Sequence, residues 1–137
     1  MALWLFKEEP GSYSFTDLQR DKSTTWEGVT NALAQKHLRS VKKGDRVFFY
    51  HTGDEKAVVG IMQVTADPQP AANDDTGKLV AVTVKPVKAL KNPVTLAAIK
   101  ADPVFAQWEL VRQSRLSVMP VPEALWTKIE EMSQRPG

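Results

Sequence analysis

The fold is decided by two neighbouring runs, Arg46-Val-Phe-Phe-Tyr50 and Ala57-Val-Val-Gly-Ile-Met-Gln-Val64, which are joined through Thr52-Gly53-Asp54. Both runs are rich in β-branched and aromatic residues, and a Gly-Asp pair between such runs is typical of a tight turn. The pattern therefore predicts a β-hairpin at the centre of the chain. Lys43-Gly44-Asp45 predicts a further turn just before it.

Upstream of the hairpin, apolar spacing and turn residues predict alternating short elements. Pro10 and Gly11 end the first apolar run, and Ser14-x-x-Asp17 has the form of a capped helix start. The predicted elements are a strand from Leu3 to Lys7, a helix from Ser14 to about Arg20, a polar loop from Asp21 to Thr25 leading to Trp26, and a helix from about Asn31 to Arg39 with Val29, Leu33 and Leu38 inward.

Downstream, the same rules predict a loop, two strands and three helices. They are a loop from Asp67 to Gly77, a strand from Leu79 to Val87 with Val80, Val82 and Val84 on one face, a helix from Leu96 to Lys100 capped by Thr95, a helix opened by Asp102-Pro103 and running through Trp108, a strand from Arg115 to Met119, and a helix from Pro122 to Met132 with Leu125, Ile129 and Met132 inward. Short strands with uneven helical insertions predict a small, open β-barrel of the α+β class, and 137 residues predict one domain, residues 1–137.

Composition narrows the classes of function. The chain has 42% apolar and 25% charged residues, which is ordinary for a globular protein, and no cysteine, which excludes disulfides, thiolate metal sites and cysteine nucleophiles. The two histidines, His37 and His51, lack the spacing of a metal site, so neither a metal nor a cofactor is expected. No apolar run is long enough for a signal peptide or a membrane span, so we expect a cytoplasmic protein with no membrane partner.

Familiar catalytic patterns are missing from the sequence. It contains no Gly-x-Ser-x-Gly motif and no glycine-rich phosphate loop. Glu8 and Glu9 are adjacent in a predicted strand end, so their side chains point to opposite faces and are not expected to act as a pair. These observations favour a protein that is not an enzyme.

The aromatic and basic residues leave alternatives open. Trp26 follows a polar loop, where an indole either packs on the core, the commoner outcome, or lines a pocket. Trp108 and Trp126 have apolar helical neighbours and are predicted to pack in the core. Basic residues at Lys36, Arg39, Arg46 and Arg112 predict either a solvated surface or a face that follows phosphates, and a net charge of +2 does not decide between them.

Four separated blocks together resemble the EVE-domain family. They are Trp4-Leu-Phe-Lys-Glu-Glu-Pro10, Trp26-Glu-Gly-Val-Thr-Asn31, Gly44-Asp-Arg-Val-Phe-Phe-Tyr-His51 and Arg115-Leu-Ser-Val-Met-Pro-Val121, in the order that the family has them. The resemblance covers Leu3 to about Ile129. It implies a PUA-like fold, a curved, partly closed β-barrel of about five to six strands with surrounding helices, related to YTH and ASCH domains.

The resemblance also implies a function and a site. Family members are viewed as readers of modified bases in nucleic acid, notably modified cytosine in DNA. The modified base leaves the base stack and enters a pocket of the protein. Trp26 would be the stacking wall, Gly28 and Val29 would bring backbone close to the base, and Asn31 would read its edge. The remaining pocket residues implied in this way are Lys7, Glu9, Tyr50, His51, Arg115 and Ser117.

Three positions depart from the family pattern. Glu8 replaces a small hydroxyl residue and adds a negative charge near the implied ligand, while Thr30 and Ala32 replace an arginine and an aromatic residue. Three functions consequently remain open. The first is a modified-base reader, favoured as a monomer; the second is an enzyme with Glu9 and His51 as acid and base; the third is an interaction or RNA-binding module without modified-base specificity, which predicts a fully buried Trp26 with no cavity beside it.

Overall fold

A computed structural model describes residues 1–72 and 74–135, which contain seven strands and five α-helices. The strands are β1 Leu3–Glu8, β2 Thr24–Trp26, β3 Arg46–His51, β4 Ala57–Val64, β5 Gln69–Pro70, β6 Val80–Thr95 and β7 Val118–Pro120. The helices are α1 Phe15–Asp21, α2 Ala32–Ser40, α3 Leu96–Ala101, α4 Glu109–Arg112 and α5 Glu123–Gln134, with a 3-10 turn at Pro103–Phe105.

The strands form one sheet in the order β2-β6-β4-β3-β1-β7, with β5 added to β6. Strands β1 and β3 run parallel, and the other paired strands are antiparallel. Register breaks between β3 and β4, and between β4 and β6, bend the sheet, since such irregularities increase strand curvature. The sheet curls into a half-barrel, which confirms the predicted α+β class.

The two faces of the sheet bury different aromatic groups. On the inner face, Phe6 of β1 and Phe49 of β3 contact Trp26. On the outer face, Phe48 stacks on Trp126 of α5 with ring centroids 3.6 Å apart. Because side chains alternate along a strand, Phe48 and Phe49 serve opposite faces of the same sheet.

Several sequence predictions are confirmed closely. The central hairpin lies where it is expected, and Ser14 caps α1 in a capping box with Asp17. Thr95 caps α3 by accepting a hydrogen bond from the Ala98 amide at 3.1 Å. Trp108 and Trp126 are buried.

Other predictions are wrong, and long-range pairing is the reason in most cases. Residues 24–26 form strand β2 because they pair with β6, so Trp26 does not follow a loop. Strand β6 runs on to Thr95, where a strand ending at Val87 is predicted, because β4 pairs along its length. The helix predicted through Trp108 is a 3-10 turn followed by a separate α4, and Leu33, predicted inward, is 37% exposed.

The bounds of the last strand and of the loop after β4 also differ from the predictions. The last strand begins at Val118, so Arg115 and Ser117 precede it and lie in the connection from α4. The predicted loop from Asp67 to Gly77 contains β5, and its residue Asn73 lies outside the described residues. No helix in the described part of the chain combines the length and hydropathy that a bilayer crossing requires.

Candidate nucleic-acid interface

Trp26 belongs to the inner core of the barrel. Its ring lies 5.5 Å from that of Phe6 and 5.3 Å from that of Phe49, and the residue is 5% exposed. Strand β2 places it there by pairing Trp26 with Val82. The expectation of an indole exposed on a pocket wall is therefore wrong, and core packing, the commoner outcome for its position, is what the structure has.

The segment 27–31 leaves the sheet directly after Trp26 and leads into α2. Gly28 has a φ of +79°, a conformation that glycine adopts without strain. Asn31 is the N-cap of α2, because its Oδ1 accepts a hydrogen bond from the Ala34 amide at 3.0 Å. Because Oδ1 caps the helix, the side-chain NH2 group of Asn31 is the part of the amide left to donate a hydrogen bond to a ligand.

A groove lies between the start of α2 and the connection that follows α4. We call it the Asn31 groove, and it has a volume of about 330 Å³ with Asn31, Leu33, Arg112, Gln113, Ser114, Arg115 and Leu116 as its lining. It unites two of the predicted pocket residues, Asn31 and Arg115, with the predicted phosphate contact Arg112. Its size falls within the usual range for small-ligand sites.

Lys7 contacts Ser114, one of the residues that line this groove. Its Nζ donates a hydrogen bond to the Ser114 carbonyl at 2.9 Å and lies 5.6 Å from the centre of the Tyr50 ring. The backbone amide of Lys7 also donates to the Ser117 carbonyl, so Lys7, Tyr50 and Ser117 are neighbours across the sheet. Burial lowers the pKa of Lys7 and raises the pKa of Tyr50 to about 12.

The side chains of Glu9 and His51 are both hydrogen-bonded within the protein. The His51 Nε2 accepts from the Phe15 amide at 3.1 Å, and its Nδ1 lies 2.7 Å from the Glu55 carboxylate. One Glu9 oxygen accepts from the Gly11 amide at 3.0 Å, and the side chain lies against Gly53. With both ring nitrogens of His51 engaged, this arrangement anchors the start of α1 and offers no open acid–base pair.

Glu8, one of the three departures from the family pattern, turns back on its own backbone. Its Oε1 accepts from the Glu9 amide at 3.0 Å. Burial raises the pKa of the Glu8 carboxyl, while the hydrogen bond from Glu9 opposes that rise.

The four basic residues predicted to follow phosphates do not share one face. Lys36 and Arg39 are exposed on α2. Helix α2 lies on the inner side of the sheet, where His37 contacts Trp4. Arg46 alternates with the inward Val47 on β3 and so points to the outer side. Arg112 alone of the four lines the Asn31 groove, and it also donates to Gln107 at 2.8 Å.

A second groove is lined in part by residues of segment 27–31. Its volume is about 310 Å³, and it contains Gly28 and Thr30, together with Glu27, Ala71, Asp74 and Leu79. The segment therefore contributes residues to both grooves, and Trp26 lines neither of them. Among the described residues no group of three or more histidine or carboxylate side chains is placed to hold a metal ion.

Sequence reasoning missed Gln35, which is 2% exposed and fastens segment 27–31 to β6. A signal for it exists in the sequence. Gln35 precedes the buried Leu38 by three positions, so the helical repeat places a polar amide on the buried face of α2, where it must find hydrogen-bond partners.

Comparison with known proteins identifies the family to which the chain belongs. The family model of the EVE domain matches residues 2–132, and the chain belongs to that family. Human thymocyte nuclear protein 1 is 30% identical over 124 residues, which are 72% of this chain and 55% of that protein. The chain spans about half the length of this curated relative.

Solved structures show the same architecture. A protein from Rhodopseudomonas palustris is 39% identical with a TM-score of 0.92, covering 97% of this chain and 93% of that one. A protein from Agrobacterium tumefaciens is 33% identical with a TM-score of 0.92, at 98% and 94% coverage. The human THYN1 protein, solved in complex with 5-methylcytosine-containing DNA, has a TM-score of 0.90 at 23% identity and full coverage of both chains, which shows a shared fold. The fold is thus the PUA-like half-barrel that the resemblance implies.

Proposed function

We propose that this EVE domain is a non-catalytic nucleic-acid-binding module that recognises a modified base, with modified cytosine in DNA as the foremost ligand. The observation that carries the proposal is the Asn31 groove, where an amide, two arginines and an exposed leucine meet at one open site. The human relative bound to 5-methylcytosine-containing DNA supports this choice of ligand. We further propose a cytoplasmic monomer without a cofactor.

Each kind of group in the groove suits one part of a nucleotide. A guanidinium such as that of Arg115 binds phosphate through paired hydrogen bonds. The free amide donor of Asn31 suits an acceptor on a base edge. Leu33, at 37% exposure, provides an apolar contact of the type that distinguishes a methylated pyrimidine from an unmethylated one.

The experiment measures binding of fluorescently labelled single- and double-stranded oligonucleotides, in DNA and RNA form, that carry cytosine or 5-methylcytosine at one position. We expect tighter binding to the modified DNA. Asn31→Ser keeps a good helix N-cap but removes the amide donor, so it should reduce the preference for the modified base by about tenfold while leaving thermal stability nearly unchanged. Thr25→Ala, an exposed position on β2, is the control.

Equal affinity for modified and unmodified strands would contradict base recognition and favour general nucleic-acid binding. The second candidate is a PUA-like interaction module, and the buried Trp26 favours it, since a stacking wall requires an accessible ring. Absence of binding to every oligonucleotide would support that second candidate.

A further inference from the structure

Gln35 connects three parts of the chain through one buried amide. Its Nε2 donates to the Val29 carbonyl at 2.6 Å and to the Val80 carbonyl at 3.3 Å, while its Oε1 accepts from the Val80 amide at 3.0 Å. The residue is 2% exposed. The side chain therefore satisfies both backbone polar groups of Val80, the first residue of β6, and holds Val29 beside them.

The Gln35 side-chain amide lies where the backbone of a further β2 residue would otherwise pair with β6. Strand β2 pairs with β6 up to Trp26 opposite Val82, and the same antiparallel register continued by two residues would bring Gly28 opposite Val80. A glutamine amide has one carbonyl and one N–H group, as a peptide does. Gln35 thus supplies Val80 with the donor and acceptor that Gly28 would have provided.

We propose that Gln35 is a positioning residue for the Asn31 groove: by replacing Gly28 in the ladder, it lets segment 27–31 leave the sheet and fixes Asn31, at the end of that segment, in the lining of the groove. Its effect on ligand binding rests on the proposed function above. Its effect on the segment does not, and can be measured without any ligand.

The link from Gln35 to the groove is short. The backbone amide of Gln35 donates to the Asn31 carbonyl at 2.9 Å, so the start of α2 and the fastened segment form one unit. A binding group must be held within a fraction of an ångström of its working position to be effective. Loss of the amide would leave the Val80 groups unsatisfied and would free Val29 and Asn31 to shift together.

The first test compares Gln35→Ala with Ser133→Ala. Ser133 is also 2% exposed and makes one buried hydrogen bond, to the Glu130 carbonyl at 2.8 Å on α5, on the opposite face of the sheet. Hydrogen exchange is followed at the Val80 amide and in peptides covering residues 27–31. We expect Gln35→Ala to accelerate that exchange by about tenfold and to weaken oligonucleotide binding by a similar factor, whereas Ser133→Ala does neither.

The second test uses Gln35→Glu, which has the same shape. An ionised carboxylate cannot donate to the Val29 and Val80 carbonyls, whereas a protonated carboxyl can donate to one of them and still accept from the Val80 amide. We expect slow exchange at Val80 to return in this variant at about pH 5 and to be lost at about pH 8, since burial raises a glutamate pKa. Wild-type protein at both pH values is the reference, corrected for intrinsic exchange.

Three results would overturn the inference. Unchanged exchange at Val80 and in 27–31 in Gln35→Ala would show that the amide does not hold the segment. Faster exchange with unchanged oligonucleotide affinity would show that the position of Asn31 in the groove does not depend on the held segment. Absence of oligonucleotide binding by the wild type would refute the proposed function and the groove role together, while the exchange data would still report on the segment itself.

Discussion

At the scale of the residue, Trp26 is a side chain of the core and not of a binding surface. Its ring fills the space between Phe6 and Phe49 and is 5% exposed, so it contributes to the inner core. A stacking role toward a base would require the ring to leave these two neighbours. The stability of the fold therefore opposes exposure of the indole.

Replacement of Trp26 by alanine should reduce the free energy of unfolding by about 3–5 kcal/mol, since a large buried ring is lost and the site is closed by other rings. Urea unfolding followed by circular dichroism measures this change. Thr25→Ala, its exposed neighbour on β2, should change the same quantity by less than about 0.5 kcal/mol. A loss below about 1 kcal/mol for Trp26→Ala would contradict the core role.

At the scale of the element, the turn at residues 74–79 that leads into β6 depends on one carboxylate. Asp74 accepts hydrogen bonds from the Thr76 hydroxyl at 2.6 Å, from the Thr76 amide at 3.1 Å and from the Leu79 amide at 2.7 Å. The bond from Thr76 is the largest of the effects that lower the pKa of Asp74 to about 2. The turn also forms one side of the second groove, through Asp74 and Leu79.

The turn should respond to acid in a defined direction. Because the folded pKa of Asp74 lies below its unfolded value, the ionised carboxylate stabilises the turn fully above about pH 4, and the contribution is lost as pH falls through about 2. An NMR titration of the Leu79 amide should show a midpoint near that lower value. Asp74→Ala should abolish the transition and Asp75→Ala should keep it; a midpoint near pH 4 would disagree with the geometry.

At the scale of the whole molecule, the proposed binding of nucleic acid would depend on the positive charges beside the groove and not on the net charge of the protein. The net charge is +2, and the arginines at the groove, Arg112 and Arg115, lie apart from Arg46 on the outer side of the sheet. Few phosphates can then be contacted at once, so binding of nucleic acid should depend only moderately on salt.

Arg115→Ala should weaken oligonucleotide binding by about tenfold and should reduce the slope of log affinity against log salt by about 0.9, the value for one phosphate contact on double-stranded DNA. Titrations at several salt concentrations measure both quantities. Arg39→Ala is the control, because Arg39 lies on α2 outside the groove and donates to the Lys78 carbonyl at 3.3 Å. An unchanged slope in Arg115→Ala would exclude a phosphate contact there.

Part of the site was predictable because its residues belong to local patterns. Arg112 lies in α4, which the sequence does not predict as a separate helix, and Arg115 is predicted in a strand but lies in the connection before β7. Asn31, by contrast, lies at the start of a predicted helix, so its place at the cap of α2 could be inferred. The groove itself could not, because it arises where α2 meets a segment some eighty residues later in the chain. Hydrogen bonds such as those of Lys7 to Ser114 and Gln35 to Val80 depend on the same long-range contacts.

Local sequence patterns are enough to predict the class of fold, the central hairpin, the helix caps at Ser14 and Thr95, and family membership through the four motif blocks. These features depend on side-chain periodicity and on hydrogen bonds within a few residues, which a linear pattern records. Only the tertiary structure decided that Trp26 is in a strand and buried, that His51 anchors α1, and that Gln35 completes the ladder at Val80. Each of these depends on which strands become neighbours, and that is settled by packing of the whole sheet, because strand pairing joins residues far apart in the chain.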